Sequence, residues 1–246
     1  MARRQLSAPA ICAWDGEFTY GELQDLARRL ASHLMSLGVG LETLVGLCMD
    51  KSCRVPVAML AVMQAGGAVV PLGNQHPVKR IQAIISNSNI QYMIVDSAHA
   101  KRLEDVDCQK IVVDAQLLSK LAPPPHTTDQ TFWPKVTSEN AGWVVYTSGS
   151  TGLPKGVVLE HMALCTPPHA QSARYGMGPW TRALQFSAHT FDATITDIFT
   201  TMSFGGCVCI PSEEQRVNDL AGFINEFGVT FATLTPTVSS LSLIHI

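Results

Sequence analysis

The stretch Tyr146–Gly156, YTSGSTGLPKG, places Thr147, Ser148, Ser150, Thr151 and Lys155 among the glycines Gly149, Gly152 and Gly156. Glycines open backbone angles closed to other residues and let main-chain N–H groups approach a ligand. Successive N–H groups in such a turn form a concavity suited to an anion. The hydroxyls add donors, and as acceptors they can join a metal's shell. Lys155 adds one mobile positive charge that complements phosphate. The bland alternative is an exposed Gly/Ser hairpin loop. Four hydroxyls, ordered glycines and a lysine between two apolar runs, "GWVVYTS" and "GVVLEH", favour phosphate.

The stretch is not a Walker A loop. That motif needs G-x-x-x-x-G-K-[ST] followed by a helix. Gly149 and Lys155 have the right separation. Pro154, however, stands at the second glycine, Gly156 replaces the magnesium-binding hydroxyl, and a strand follows. A GTPase or an ordinary P-loop ATPase is thereby disfavoured.

The elements that must carry such a loop alternate. "FTYGELQDLARRLASHLMSLGVG" opens with Thr19 and Glu22 at capping-box spacing. It continues with Leu23, Leu26, Leu30, Leu34 and Leu37 on one helical face and stops at Gly38. "TLVGLCM" reads as a buried strand. "RVPVAMLAVMQAGG" reads as a helix with Pro56 in its first turn and Gly66-Gly67 at its exit. "AVVPL" is a strand, "PVKRIQAIISNSN" a helix entered at Pro77, and "QYMIV" and "KIVV" are strands. Residues 121–138, rich in proline and polar groups, read as a connector. Beyond the loop, "RALQFSA", "CVCIP" and "VTFATLTP" read as strands. "FDATITDIFTTMSFGG" and "EEQRVNDLAGFINEFG" read as helices. The alternation predicts an α/β fold with mostly parallel, covered sheets flanked by helices.

Composition agrees. Of 246 residues, 46% are hydrophobic and 15% charged, with a net charge of −3. That supplies a sizeable core and argues against disorder. No basic run suggests a nucleic-acid partner, and no apolar run is long enough to span a bilayer. The start, "MARRQLSAPA", has two arginines with no apolar stretch behind them, so a secretory signal is not expected. Seven cysteines without a C-x-x-C pair read as free, buried thiols in a reducing compartment, so a cytoplasmic location is expected.

"VVYTSGSTGLPKG" resembles the phosphate-loop motif of adenylate-forming (AMP-binding) enzymes, which include acyl-CoA synthetases and adenylation domains of nonribosomal peptide synthetases. "FTYGEL" (Phe18–Leu23), "MQAGGAVVPLGNQHP" (Met63–Pro77) and "FDAT" (Phe191–Thr194) resemble the first, second and fourth core motifs in the same order. "LEHMALCT" and "FGGCVCIPSEEQRVNDLAGFIN" resemble fungal multimodular synthetases. The resemblance implies that residues 1–246 form part of the family's large N-terminal domain, without the small C-terminal subdomain. In amino-acid-activating members the aspartate of "FDAT" pairs with the substrate's α-ammonium; here it is Asp192. A carboxylate withdrawn from water needs a cation, and an amino acid brings one. The other reading of Asp192 is a helix N-terminal carboxylate favoured by the dipole.

The resemblance further implies a two-step activity. An amino-acid carboxylate attacks the α-phosphorus of ATP, giving aminoacyl-AMP and pyrophosphate. The acyl group then passes to the phosphopantetheine thiol of a carrier domain, in a synthetase that also carries condensation domains. Lys155 and Thr147 would act in catalysis. Thr147, Ser148, Gly149, Ser150, Thr151, Gly152 and Lys155 would hold the nucleotide, with Thr147 reaching Mg2+. Phe191, Asp192, Ala193 and Thr196 would meet the substrate.

Departures are visible. Gly73 stands where the second motif carries aspartate. Pro167-Pro168 would end the "EHMALCT" helix early. The Asn-x-Tyr-Gly-Pro-Thr-Glu motif, the ribose-binding aspartate and the catalytic lysine of the small subdomain have no counterpart in the chain, and residues 240–246, "SLSLIHI", are atypical. The chain alone is therefore expected to be inactive. The competing readings are an acyl- or aryl-CoA ligase segment and a non-catalytic interaction module.

Overall fold

The computed structural model describes residues 5–124, 132–148, 154–166 and 175–242. Eleven strands occur among them: β1 Pro9–Ala13, β2 Gly16–Thr19, β3 Leu44–Cys48, β4 Ala68–Pro71, β5 Tyr92–Val95, β6 Gln109–Val112, β7 Ala141–Ser148, β8 Pro154–Glu160, β9 Arg182–Leu184, β10 Cys207–Ile210 and β11 Phe231–Ala232. The helices up to β7 are α1 Tyr20–Ser36, α2 Arg54–Gln64, α3 Val78–Ser88, α4 Ser97–Arg102 and α5 Ala115–Lys120. The chain forms two compact units. The first comprises Met1–Leu23, Lys51–Cys53 and Cys165–Ile246, the second Gln24–Asp50 and Arg54–Leu164.

The second unit holds a six-stranded sheet of order β6-β5-β3-β4-β7-β8. All pairs are parallel except β7 with β8. The short apolar runs that read as strands are buried because helices cover such a sheet. Ile81, Ile84 and Ile85 of α3 join Cys48, Val70, Met93 and Val95 in one core. Gly46 in β3 lets this core close: a Cβ there would lie 3.0 Å from Leu72 and 3.3 Å from Met93. The Pro77 entrance to α3 is observed, and Asn89 ends that helix in the left-handed region at φ 51°.

The Thr19–Glu22 capping box at the start of α1 is formed. The Glu22 carboxylate accepts from Thr19 N–H at 2.8 Å, and Thr19 Oγ1 accepts from Glu22 N–H at 3.2 Å. Of the leucines predicted to share a face, Leu23, Leu30 and Leu34 are buried, while Leu26 and Leu37 are half-buried. Gly38, at φ 105°, ends the helix.

The first unit holds a five-stranded sheet of order β11-β9-β10-β1-β2, parallel except for the β1–β2 pair. Cys12, Leu184, Cys207, Cys209, Leu220 and Phe223 form its core. None of the seven cysteines is in a disulfide. Five are buried as expected, but Cys108 is half-buried and Cys165 exposed.

Several boundaries differ from the sequence reading. "EEQRVNDLAGFINEFG" is two helices, Glu213–Asn218 and Leu220–Glu226, because Asp219 leaves helical angles (φ −146°, ψ 50°) and its side chain accepts from Gly222 N–H at 3.1 Å. A short polar side chain that caps a new helix competes with continuing the old one. "VTFATLTP" keeps only Phe231–Ala232 as strand, and Pro236 starts a further helix, Pro236–Ser242. The β1–β2 hairpin, α4 and α5 were not anticipated. The two helices span six residues each and rest on their caps Asp96 and Asp114, too short to show a period. Residues 121–124 and 132–140 carry neither helix nor strand; residues 161–166 are helical, and Pro167-Pro168 lie outside the described residues.

Candidate functional site

The hairpin β7–β8 in the second unit carries the phosphate-type stretch. Its ladder pairs Tyr146 with Gly156, Thr147 with Lys155 and Ser148 with Pro154. Gly149, Ser150, Thr151 and Gly152 lie outside the described residues. Thr147 and Lys155 are exposed, and Thr147 Oγ1 donates to the Lys155 carbonyl at 3.4 Å. Among the described residues no carboxylate pairs with Lys155. The root of the hairpin is fixed from one side. Tyr146 lies over Gly156, where a Cβ would come within 3.1 Å of its ring, and its hydroxyl hydrogen-bonds Ser88 Oγ of α3. Elsewhere in this unit, Gly73 occupies the position of the motif aspartate. A Cβ at that position would lie 2.6 Å from the His76 imidazole, so the histidine ring fills that space.

The other predicted contacts belong to the first unit. A continuous helical segment runs through Ala193–Ile195, a π turn Thr196–Thr200 and Thr201–Ser203. Asp192 stands at its N-cap position with helical angles (φ −61°, ψ −28°) and makes no side-chain capping bond. Phe191 and Asp192 are exposed, and Ala193 and Thr196 are half-buried. The segment is fixed from beneath by Thr194, fully buried, whose hydroxyl donates to the Ala188 carbonyl at 2.9 Å. The π turn begins at Thr196; such turns are rare and cluster at functional positions.

Residues 1–243 match the family described as AMP-binding enzyme. The chain belongs to the AMP-binding enzyme family. It is 55% identical over 240 residues to the FR901469 synthetase of Dothideomycetidae sp. (strain 11243), covering 98% of this chain and 2% of that protein. It is 51% identical over 242 residues to the nonribosomal peptide synthetase ecdA of Aspergillus rugulosus, covering 98% of this chain and 3% of that one. The chain thus spans a small part of the length of these relatives. Among solved structures, it superposes on the nonribosomal peptide synthetase FmoA3 with a TM-score of 0.86 at 24% identity, over 98% of this chain and 26% of that one. It superposes on the N-terminal subdomain of Klebsiella oxytoca NpsA with a TM-score of 0.85 at 21% identity, over 99% and 60%. These superpositions establish the fold: two largely parallel sheets flanked by helices, as in the N-terminal subdomain of adenylation domains.

In this AMP-binding chain the first unit also contains a buried polar cluster that the sequence reading missed. Lys51 is 8% exposed and Asp197 1% exposed. Lys51 Nζ donates to the carbonyls of Gln185 at 3.1 Å and Ser187 at 2.7 Å, and also to Gln185 Oε1. Asp197 Oδ2 accepts from Ser187 N–H at 3.2 Å, while its Oδ1 has no hydrogen-bond partner among the described residues. Burial pushes Lys51 down to about 7, against the opposing pull of Asp197. Burial pushes Asp197 up to about 6, opposed by the Ser187 N–H and by Lys51. His189 is lowered by burial and then by Lys51. A signal for Asp197 existed: Thr194, Asp197, Ile198 and Thr201 are spaced as one helical face, and a carboxylate on a face otherwise free of charge needs a partner.

No described helix is long and apolar enough to cross a membrane.

Proposed function

We propose that this chain acts in an adenylation domain of a nonribosomal peptide synthetase. The domain activates an amino-acid carboxylate with ATP and hands the acyl group to a carrier thiol. In the first step a carboxylate oxygen forms a bond to the α-phosphorus, the bond from that phosphorus to the bridging oxygen breaks, and pyrophosphate leaves. In the second, the phosphopantetheine sulfur bonds the acyl carbon and AMP leaves. Most of the catalysis in such chemistry is positioning and charge neutralisation.

The observation that carries the reading is Asp192. Its carboxylate is exposed, stands at the start of a helical segment and spends nothing on capping that segment. Asp192 is exposed and not withdrawn from water as expected from the sequence. The dipole at the segment's start favours its charge, and with no capping bond to make, the carboxylate is left to meet a substrate ammonium. Ala193 and Thr196, half-buried beside it, would meet the substrate side chain, and Phe191 would flank it. Lys155 and Thr147 would neutralise and hold the phosphates together with Ser148, Gly149, Ser150, Thr151 and Gly152. Magnesium would travel with the nucleotide's phosphate oxygens, and the exposed Thr147 hydroxyl is the oxygen that the described part of the hairpin offers it. A carrier domain bearing phosphopantetheine and a condensation domain are the partners this reading calls for, and the cytoplasm is the compartment that fits cysteines without disulfides.

The 246 residues contain no Asn-x-Tyr-Gly-Pro-Thr-Glu segment, so the proposal includes binding without turnover by this chain alone. The test pairs calorimetric titration of MgATP and a panel of amino, aryl and fatty acids with a pyrophosphate-exchange assay. Binding of MgATP and of α-amino acids, without exchange, is expected. Robust exchange would overturn the inactivity of the chain. Binding of aryl or fatty acids in place of amino acids would overturn the substrate class.

A further inference from the structure

Lys51 lies far in sequence from everything its ammonium touches. Its segment, Lys51–Cys53, belongs to the first unit, although the residues on either side of it belong to the second. The segment is pinned there at both ends. Trp14 Nε1 donates to the Lys51 carbonyl at 2.8 Å, and Cys53 N–H donates to Asp15 Oδ1 at 2.8 Å. The side chain is thereby delivered, almost fully buried, to the stretch Gln185–Ser187 that leaves β9.

Ser187 is the node of the cluster. Its carbonyl accepts from Lys51 Nζ at 2.7 Å and from Gln185 Nε2 at 2.7 Å, and its N–H donates to Asp197 at 3.2 Å. From there the chain is locked step by step toward Asp192. Phe191 N–H donates to the Ala188 carbonyl at 2.9 Å, Thr194 Oγ1 donates to the same carbonyl at 2.9 Å, and Ile195 N–H donates to the Asp192 carbonyl at 2.9 Å. Asp197, the far anchor, sits inside the π turn one residue after Thr196. Burying a carboxylate or an ammonium is costly unless it is hydrogen-bonded, and here Lys51 meets three oxygens of Gln185 and Ser187 while Asp197 meets the Ser187 N–H. Removing either takes a hydrogen-bond partner from the main chain of residues 185–187, in the segment that presents the substrate contacts.

We infer that Lys51 and Asp197 are positioning residues for substrate recognition: a buried lysine on the Ser187 carbonyl and a buried aspartate on the Ser187 N–H, which together set the placement of Asp192 and Thr196. The inference rests on the reading of Asp192 as the ammonium-pairing residue. Lys51 and Asp197 do not touch substrate; they act through the backbone between Gln185 and Asp197.

The test uses the 246-residue chain as wild type, Lys51→Met, Lys51→Arg and Asp197→Asn. The first readout is amide hydrogen exchange. Lys51→Met is expected to speed exchange by about tenfold or more in residues 185–197 while β1 and β10 keep their protection, with Lys51→Arg restoring most of it. Should Lys51→Met fail to fold, Asp197→Asn, which keeps the shape and an acceptor for Ser187 N–H, is expected to loosen the same stretch. Unchanged exchange in 185–197, or loosening spread evenly over the first unit's strands, would overturn the inference. The second readout is calorimetry. Amino-acid affinity should fall about tenfold or more in Lys51→Met, while MgATP affinity stays within about twofold. A wild-type chain that binds no amino acid would sink the reading of Asp192, and the exchange pattern would still decide whether the pair positions the segment.

Discussion

Thr147 and Lys155 stand opposite each other in the β7–β8 ladder, two rungs before residues 149–153, with Ser148 and Pro154 forming the rung between. Antiparallel pairing thus sets a hydroxyl-bearing and an ammonium-bearing residue, eight positions apart in sequence, directly across from each other. The rung beneath them, Tyr146 with Gly156, carries the aromatic ring that ties the hairpin to α3 through Ser88.

That rung makes the first prediction. Any side chain at residue 156 meets Tyr146 at about the 3.1 Å given for a bare Cβ, and Val144 at 3.2 Å. Gly156→Val should push the ring off Ser88 and destabilise the chain by roughly 1–3 kcal/mol. Urea unfolding followed by circular dichroism measures it, and an unchanged midpoint would show that the ring has room to move.

Asp192→Ala should weaken amino-acid binding by about tenfold or more and leave nucleotide binding as it was. Because its carboxylate makes no capping bond, the substitution should cost the fold little. A thermal melt separates the two effects. A large loss of stability with unchanged amino-acid affinity would return Asp192 to a purely structural role.

His99 gives a pH dependence with a defined sign. Its Nδ1 lies 2.8 Å from Asp96 Oδ1 and its Nε2 3.8 Å from Asp50 Oδ1. The hydrogen bond to Asp96 raises the imidazole above its ordinary 6.5, helped by the charges of Asp96 and Asp50 and opposed by burial and Arg102. A raised histidine adds stability that is complete below the unfolded value and is lost as pH rises through the folded one. The melting temperature of wild type relative to His99→Gln should therefore fall on going from pH 6 to pH 8, whereas His76, His161 and His189, which burial lowers, act with the opposite sign in both proteins. Asp96 works at the other end. Burial acts to raise it, but the His99 ring and the N–H groups of Asp50 and His99 bring it down to about 2. Its share is present above the ordinary 3.8 and disappears as pH falls toward 2. A difference between wild type and His99→Gln that stays constant from pH 6 to 8 would contradict the His99 assignment.

What the sequence revealed and what it hid follow from the range of the interactions. Thr19 and Glu22, Pro77 before α3, and the apolar runs of β3 to β7 are local signals, and each appears in the fold as read. The glycine- and hydroxyl-rich stretch between two apolar runs likewise lies in a hairpin because both of its arms are short-range. Lys51 and Ser187 are 136 residues apart, and no periodicity joins them. Asp219 could continue a helix or cap a new one. Its side chain caps the second helix on Gly222 N–H, and the burial of Leu220 and Phe223 in the core, which the local sequence does not display, fixes where that helix lies. The π turn at Thr196 needs one extra residue accommodated in a helix, a choice that helical spacing does not display.

The central claim is that the β7–β8 hairpin holds polyphosphate through Lys155. Calorimetric titration of the chain with MgATP and with inorganic pyrophosphate, for wild type and Lys155→Ala, tests it most directly. Saturable binding that weakens about tenfold or more in the variant, and that weakens with added salt in the wild type, is the predicted result. Equal affinity in the two proteins, or no binding by the wild type, would contradict it.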